Sequence, residues 1–181
     1  AYSYGYNPKM KVSMGIALPL FCESTTELVD INLVKDTPID FIKSELKRVL
    51  PAECEILNTE KIDKSTPSIE DSVSWALYKI KIFDERLYDF DKFVYNTITV
   101  LNSDEILIGK KTKKGFEKTT DYKHSIGEYW FDSGNLFITL KTGNSASIPS
   151  LRADALMNTI APDVMFEITR VKFFTEELHE L

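Results

Sequence analysis

Residues 67–181 alternate between strand-like and helix-like segments in an order that few small folds accommodate. The segments "SVSWALYKIKIF", "EILIGKK", "LFITLKTG" and "MFEITRVKFF" indicate strands, and "ERLYDFDKFVYNTITVL" and "IPSLRADALMNTIA" indicate helices. The first helix carries one apolar stripe, formed by Leu87, Phe90, Val94, Ile98 and Leu101. The resulting β-α-β-β-α-β order is typical of the ferredoxin-like, split βαβ unit. We therefore predict that residues 72–174 form a four-stranded antiparallel sheet with both helices on one face.

Residues 1–66 repeat the later part of this order. Apolar residues alternate with small ones from Val12 to Leu20, and "ELVDINLV" indicates a second strand. The segment "DTPIDFIKSELKRVL" has helical spacing, with Thr37 as N-cap, Pro38 at the first helical position and a stop at Pro51. The segment "CEILNTEKI" indicates a further strand. The sequence thus predicts an α+β protein of two tandem ferredoxin-like halves, residues 1–66 and 67–181, of which the first lacks its leading strand and helix.

An incomplete first half predicts an uncovered apolar surface. The leading strand of a ferredoxin-like sheet is a central one, so its absence exposes an edge or face around Val12, Ile16 and Val29. Apolar patches of this kind promote association. We expect a homodimer, strand exchange, or a further segment that fills the gap.

The composition restricts the class of protein. With 181 residues, 43% of them hydrophobic, the chain can bury a core. Its net charge of −6 argues against a generally basic nucleic-acid binder, so any anion site must be a local patch. No apolar run approaches the length of a membrane span, and no leader pattern is visible. Cys22 and Cys54, without a CxxC pair, predict a reduced, cytoplasmic protein.

Two N-terminal motifs are candidates for a substrate or partner surface. The turn before the first strand and the polar positions around the second supply its residues, which are Gly5, Tyr6, Asn7, Pro8, Ser24, Glu27 and Asp30. Asn7 can donate and accept hydrogen bonds to a ligand. The alternative is structural: the first motif is a turn entering a strand, and Ser24 and Glu27 fix the connection between two strands.

These motifs resemble a known bacterial family. "YSYGYNPKMKVSMGIALPL" and "ESTTELVDINL" are similar to the radical SAM-associated protein family, whose members carry Gly-Phe-Asn-Pro, Leu-Pro-Leu-Gly and Ser-x-x-Glu-x-x-Asp elements. Here Tyr6 replaces the Phe, and Phe21 replaces the last Gly. The resemblance implies a radical SAM protein as partner and a link to RNA or ribosome metabolism. It also implies a leading strand and helix with a Ser-His-Leu-Asp motif, which this sequence does not contain.

The search for catalytic chemistry gives no candidate residues. The sequence has no Walker loop, GxGxxG, HExxH or GxSxG motif. Two cysteines cannot supply the three thiolates of a radical SAM iron–sulfur cluster. We therefore expect no catalytic site, no metal and no cofactor, and interpret the chain as an accessory module.

A basic segment runs from Lys110 to His124. Its six lysines outnumber Glu117 and Asp121, which gives a net charge of +4 on an otherwise acidic chain. Such a patch suits a phosphate backbone, and nearby aromatic residues suit base stacking. The predicted nucleic-acid-binding residues are Lys110, Lys111, Lys113, Lys114, Lys118, Tyr122, Lys123 and Trp130. The alternative is a solvated hairpin whose aromatic residues fold into the core.

The functional expectation is therefore a non-catalytic module of a radical SAM system that binds RNA or a ribosome-related substrate. The alternative is an adaptor that docks the radical SAM protein and does not contact RNA. Neither expectation involves a membrane.

Overall fold

A computed structural model describes residues 12–84, 86, 88–111, 117–143 and 147–181. Its strands are β1 (Val12–Met14), β2 (Cys22–Ser24), β3 (Val29–Ile31), β4 (Trp75–Ile82), β5 (Leu107–Lys111), β6 (Glu117–Asp121), β7 (Ile126–Asp132), β8 (Asn135–Lys141) and β9 (Phe166–Phe174). Its helices are α1 (Ile39–Val49), α2 (Ile69–Ser72), α3 (Phe90–Leu101) and α4 (Ala153–Ile160). The protein is α+β, with mostly antiparallel strand pairing.

The main sheet has the strand order β2-β9-β4-β8-β7. Strand β4 is antiparallel to both β8 and β9, and β7 forms a hairpin with β8. Strand β2, from the N-terminal half, extends the sheet at its edge and runs parallel to β9. Of the six strands described in residues 72–174, four belong to this sheet, in the order β9-β4-β8-β7; with β2 the sheet has five strands rather than the predicted four.

Helices α3 and α4 contact each other and share one hydrophobic core with the main sheet. The Phe93 ring of α3 lies 6.3 Å from that of Phe131 in β7 and 5.3 Å from that of Phe166 in β9. Leu156 of α4 is completely buried in the same core. Since both helices pack on this layer, neither of them covers the other face of the sheet.

The buried face of α3 differs from the predicted stripe. Phe93, Thr97 and Leu101 are its buried residues, whereas Ile98 is 40% exposed and Phe90 and Val94 are only half-buried. Leu87 lies outside the described residues. Thr97 tolerates burial because its hydroxyl donates to the Phe93 carbonyl at 2.8 Å. Because Thr97 is polar but lies in the core, the apolar stripe predicted from the sequence does not coincide with the face of α3 that is buried.

The segment "EILIGKK" does not form the second strand of the main sheet. Its strand β5 pairs with β6 in a separate two-stranded sheet, and the place beside β8 belongs to β7. The hairpin is thus inserted between α3 and β7.

The prediction of two tandem ferredoxin-like halves is not confirmed, and the N-terminal half departs from it most. Strands β1 and β3 pair only with each other, residues 51–68 contain no helix or strand, and α1 has no buried residue. The first strand ends at Met14 rather than Leu20, and the chain turns at Phe21 with a positive φ of 64°. The expected exposure of Val12 and Val29 is confirmed at 42% and 49%, while Ile16 packs against the core.

Candidate nucleic-acid interface

The sheet face opposite α3 and α4 presents aligned side chains from four strands. Residues Thr169 of β9, Lys79 of β4, Phe137 of β8 and Trp130 of β7 are successive partners across the sheet. Side chains alternate between the two faces of a strand. Because Phe131 packs on Phe93 of α3, its neighbour Trp130 points to the opposite face. We call the surface formed by Lys79, Lys81, Trp130 and Phe137 the open face.

Trp130 and Phe137 form a flat aromatic platform on the open face. Their rings are nearly parallel, with 5.2 Å between centroids and 4° between planes. Trp130 is 43% exposed, and Phe137 is half-buried. Packing against Phe137 restricts the orientation of the indole ring while leaving part of it accessible. An exposed, oriented aromatic ring is the element on which an unpaired base stacks.

Two lysines lie beside this platform. Lys79 and Lys81 are exposed on β4, and Lys79 is directly opposite Phe137. Lys81 lies between Asn135 and Glu167 in the next row of the face. The open face therefore combines an aromatic surface with two lysines, the two kinds of group that bind single-stranded nucleic acid. The exposed carboxylates of Glu167 and Asp132 lie in the next row of the same face, so its positive charge is confined to the β4 side of the platform.

The other end of the same face is covered by residues 175–181. Lys141 is fully buried, donates a hydrogen bond to the Glu176 carboxylate and lies 5.1 Å from the Trp75 ring centroid. That hydrogen bond lowers the pKa of Glu176 below its usual value. Lys172 of β9 donates to Glu180 at 2.7 Å. Two ion pairs thus hold this segment against the sheet.

The basic hairpin lies on the other side of the sheet from Trp130. Strand β5 contacts α4, and Ile108 is buried in the core that the helices share. Lys118 is exposed, and the backbones of Lys110 and Lys118 pair across the hairpin. Lys111 is the last residue of β5, while Lys113 and Lys114 lie outside the described residues. Of the predicted hairpin lysines, Lys118 is the one whose side chain is described, and its strand lies on the helix side of the sheet rather than beside Trp130.

Two predicted interface residues instead fix the base of the hairpin. Tyr122 is only 3% exposed and belongs to the core, so its ring is not available to a base in this conformation. The Lys123 ammonium donates at 2.6 Å to the Leu101 carbonyl at the end of α3. The alternative expectation of a hairpin whose aromatic residues fold inward describes Tyr122 correctly, and we remove Tyr122 and Lys123 from the interface.

The N-terminal candidates make internal contacts where they are described. The Ser24 hydroxyl accepts from the Thr26 amide at 3.2 Å, and Asp30 accepts from the Ile69 amide at the start of α2 at 2.8 Å. Glu27 accepts from Arg170 of β9 at 2.9 Å. Residues Gly5, Tyr6, Asn7 and Pro8 lie outside the described residues. The structural interpretation of Ser24 and Glu27 is thus the one that their contacts favour.

Arg170 is a structural residue that sequence reasoning missed. It is fully buried, donates to the Ile16 carbonyl at 2.9 Å and lies 4.8 Å from the Phe173 ring centroid. With Arg152 it lines a cavity of about 210 Å³ beneath residues 16–19. Burial, with a smaller contribution from the negative charge of Asp154, raises the pKa of the half-buried Cys22 thiol. The positive charges of Arg152 and Arg170 partly oppose this shift. No local sequence pattern reveals a buried arginine whose partners are distant in the chain.

Two kinds of feature are absent from the described part of the chain. Those residues contain no group of three or more His, Cys, Asp or Glu side chains arranged to hold a metal ion. None of their helices has the length and apolar character needed to cross a membrane.

Comparisons with known proteins identify a family. No curated protein and no solved structure matches the chain. Residues 1–152 match DUF2344, described as an uncharacterized protein conserved in bacteria. Since this match covers more than half of the chain, the protein belongs to the DUF2344 family.

Proposed function

We propose that this protein is a non-catalytic accessory module that binds single-stranded RNA on the open face. The observation that carries the proposal is the exposed Trp130 ring, held parallel to Phe137 on the face of the sheet opposite α3 and α4. Base–aromatic stacking contributes about 1–3 kcal/mol per base and tolerates any sequence. Lys79 and Lys81 supply positive charge from β4, the strand that pairs with the strand of Phe137.

The architecture of residues 67–181 supports this choice. We interpret this region as a ferredoxin-like unit, because its strand order and its single helical layer are those of a split βαβ fold. RNA-binding domains of the RRM type stack two or three bases on aromatic side chains of a four-stranded sheet. In this protein β8 supplies Phe137 from a central position, and the neighbouring edge strand supplies Trp130.

The basic hairpin is a second source of charge. Lys110, Lys111, Lys113, Lys114 and Lys118 attract the phosphate backbone over a range set by the ionic strength. We propose that these lysines serve the approach of RNA or bind a flanking stretch, because the described strand β5 lies against α4, on the side of the sheet opposite the platform. The partner that the module serves is, by the resemblance of its N-terminal motifs, a radical SAM protein acting on RNA or a ribosomal substrate.

The second candidate function is an adaptor that docks the radical SAM protein without contacting RNA. The observation that favours it is the exposure of large apolar side chains in the N-terminal half. Phe21, Val34 and Phe41 are 99%, 79% and 58% exposed. Such a surface suits a protein interface, either with that partner or in a homodimer.

Anisotropy titration of a fluorescein-labelled single-stranded RNA at two salt concentrations separates the candidates. Trp130→Ala should weaken binding about 5- to 150-fold, which corresponds to the loss of one stacked base. Tyr95→Ala is the matched control, because Tyr95 is an exposed aromatic residue, at 71%, on the helix side. If the unmodified protein shows no salt-sensitive RNA binding, the adaptor function replaces the RNA function.

The hairpin contributes a separate prediction to the same titration. Replacing Lys110, Lys111, Lys113 and Lys114 by Gln should flatten the log–log salt slope by roughly 0.7 for each phosphate that the protein no longer neutralises. Binding should weaken alike for different RNA sequences, because interactions with the phosphate backbone carry no sequence information.

A further inference from the structure

We propose that the RNA-binding surface continues beneath residues 175–181, where Lys141 and Lys172 are phosphate-binding residues now occupied by the carboxylates of Glu176 and Glu180. This inference rests on the proposed RNA-binding function and identifies a second part of the same surface. The acidic segment then competes with RNA for one end of the sheet.

The strand register places the covered lysines on the same face as the platform. Along β4 the outward positions are Trp75, Leu77, Lys79 and Lys81, since side chains alternate. Trp75 is the partner of Lys141, and Leu77 is the partner of Lys172. Lys172 therefore lies one outward row from Lys79, and Lys141 two rows away, at about 7 Å per row.

The contacts of the covered end are those of an anion site. The Lys141 ammonium is completely buried, and a buried charge is stable only when it is paired. Its partner in the structure is Glu176, and the Trp75 ring provides a further cation–π contact. A phosphodiester oxygen accepts the same charge-assisted hydrogen bond as a carboxylate oxygen. The site therefore accommodates either anion.

The segment that fills this site is held mainly by its two ion pairs and a few backbone contacts. Leu178 and Leu181 are 51% and 39% exposed, so neither leucine is anchored in the core. Its backbone contacts with β9 include a hydrogen bond from Leu181 to Phe173 and a single bridge between Phe174 and Glu180. Leu178 also has a φ of 62°, a left-handed conformation that is strained for a leucine. Partial exposure of both leucines and the strained backbone at Leu178 favour local opening of the segment.

Because the segment competes with RNA for these lysines, it lowers the RNA affinity of the protein. RNA contacts Lys141 and Lys172 only when the segment is displaced, so the measured affinity is reduced by the fraction of molecules that are open. Removing a carboxylate from the segment should raise this fraction and therefore the affinity.

The test compares three substitutions in the RNA titration. Glu180→Gln removes the partner of the half-exposed Lys172 and should tighten binding about two- to five-fold, the range of an exposed ion pair. Glu176→Gln combined with Glu180→Gln should tighten it further if the fold is retained. Glu177→Gln is the matched control, because it removes one negative charge from a residue that bonds the Thr175 hydroxyl rather than a lysine.

Amide hydrogen exchange measures the release of residues 175–181 in the unmodified protein, without any substitution. RNA should accelerate exchange of the Thr175 and Leu181 amides, which are bonded to His179 and Phe173. The inference is overturned if Glu180→Gln and Glu177→Gln bind RNA equally and both amides stay protected with RNA bound. If Trp130→Ala still weakens binding by the expected factor in that case, the proposed function stands and only the extension falls. If neither the unmodified protein nor Glu180→Gln binds RNA, both proposals fall.

Discussion

Arg170 in β9 donates a 2.9 Å hydrogen bond to Glu27, which lies 143 positions earlier in the chain. The guanidinium also binds the carbonyls of Ile16 and Ala17, so one buried side chain fastens residues 16–27 to the main sheet. Strand β2, between these contacts, is thereby held parallel to β9. The N-terminal segment is attached to the sheet through charge and hydrogen bonds as well as through apolar packing.

Glu27→Ala should destabilise the protein by about 1–2 kcal/mol, since it leaves a buried guanidinium without its counter-charge. The value is at the low end for a charged hydrogen bond because the Glu27 side chain is 38% exposed and water compensates in part. Urea unfolding followed by circular dichroism measures the change. Exposed Glu23→Ala is the control, and equal destabilisation by both variants would contradict the role of the Arg170 contact.

Gly143→Ala should destabilise the fold strongly. A Cβ atom at this position would lie 1.9 Å from the Val73 carbonyl oxygen and 2.8 Å from the Ser74 Cα, and both are backbone atoms that cannot rotate away. We expect a loss of about 1–3 kcal/mol, the usual cost of overpacking. Gly109→Ala is the comparison, because nothing lies within 4 Å of its added Cβ. Equal melting temperatures for the two variants in a thermal shift assay would refute this close packing.

Phe93→Ala should cost about 3–5 kcal/mol, the range for removing a large buried ring. Phe93 is completely buried and contacts the rings of Phe90, Phe131 and Phe166, so the cavity cannot close easily. The neighbouring Tyr95→Ala should change stability by less than about 0.5 kcal/mol, since Tyr95 is on the solvent side of the same helix. Chemical denaturation of the two variants distinguishes the faces of α3.

Acid should release residues 175–181 before the sheet unfolds. The hydrogen bond from Lys141 lowers the pKa of Glu176 in the folded protein, so the ionised form contributes stability above the ordinary glutamate pKa. This contribution is lost as the pH falls through the lowered pKa, while it is fully present at neutral pH. Exchange of the Leu181 amide, followed by NMR below the usual range of glutamate titration, should show the release. In Glu176→Gln the same pH dependence should be absent, and its persistence there would assign the release to another group.

Local periodicity was sufficient to predict the central elements of residues 67–181. Apolar residues recur at the spacing of a strand in β4, β8 and β9 and at the spacing of a helix in α3 and α4. The recurring residues pack in the core that these elements share. Strand β7 was missed because it lies at an edge, where charged Glu128 and Asp132 interrupt the pattern. The segment "EILIGKK", which forms β5, was predicted in its place because its apolar residues alone do not show which strand it pairs with.

The three-residue strands of the N-terminal half could not be bounded from sequence. Strand β2 pairs with a strand more than 140 positions away, and this pairing rather than its own composition defines it. Short strands carry too few residues for a periodic signal.

The candidate interface was predictable only in part. Trp130 was predicted as a stacking residue from its residue type and its position beside the basic segment; its exposure and orientation come from the structure. Its neighbours Phe137 and Lys79 were not, because their alignment depends on the register of three separate strands. Tyr122 was misassigned since an aromatic residue in a basic segment has the same local signature whether it faces RNA or the core.

Tryptophan fluorescence tests the stacking of RNA on Trp130 most directly. In a Trp75→Phe variant, Trp130 is the remaining tryptophan, and its emission reports contacts at the platform. We predict that single-stranded RNA quenches this emission with the same midpoint as the anisotropy titration. Saturable RNA binding without quenching would show that the bases lie elsewhere and would contradict the assignment of the open face.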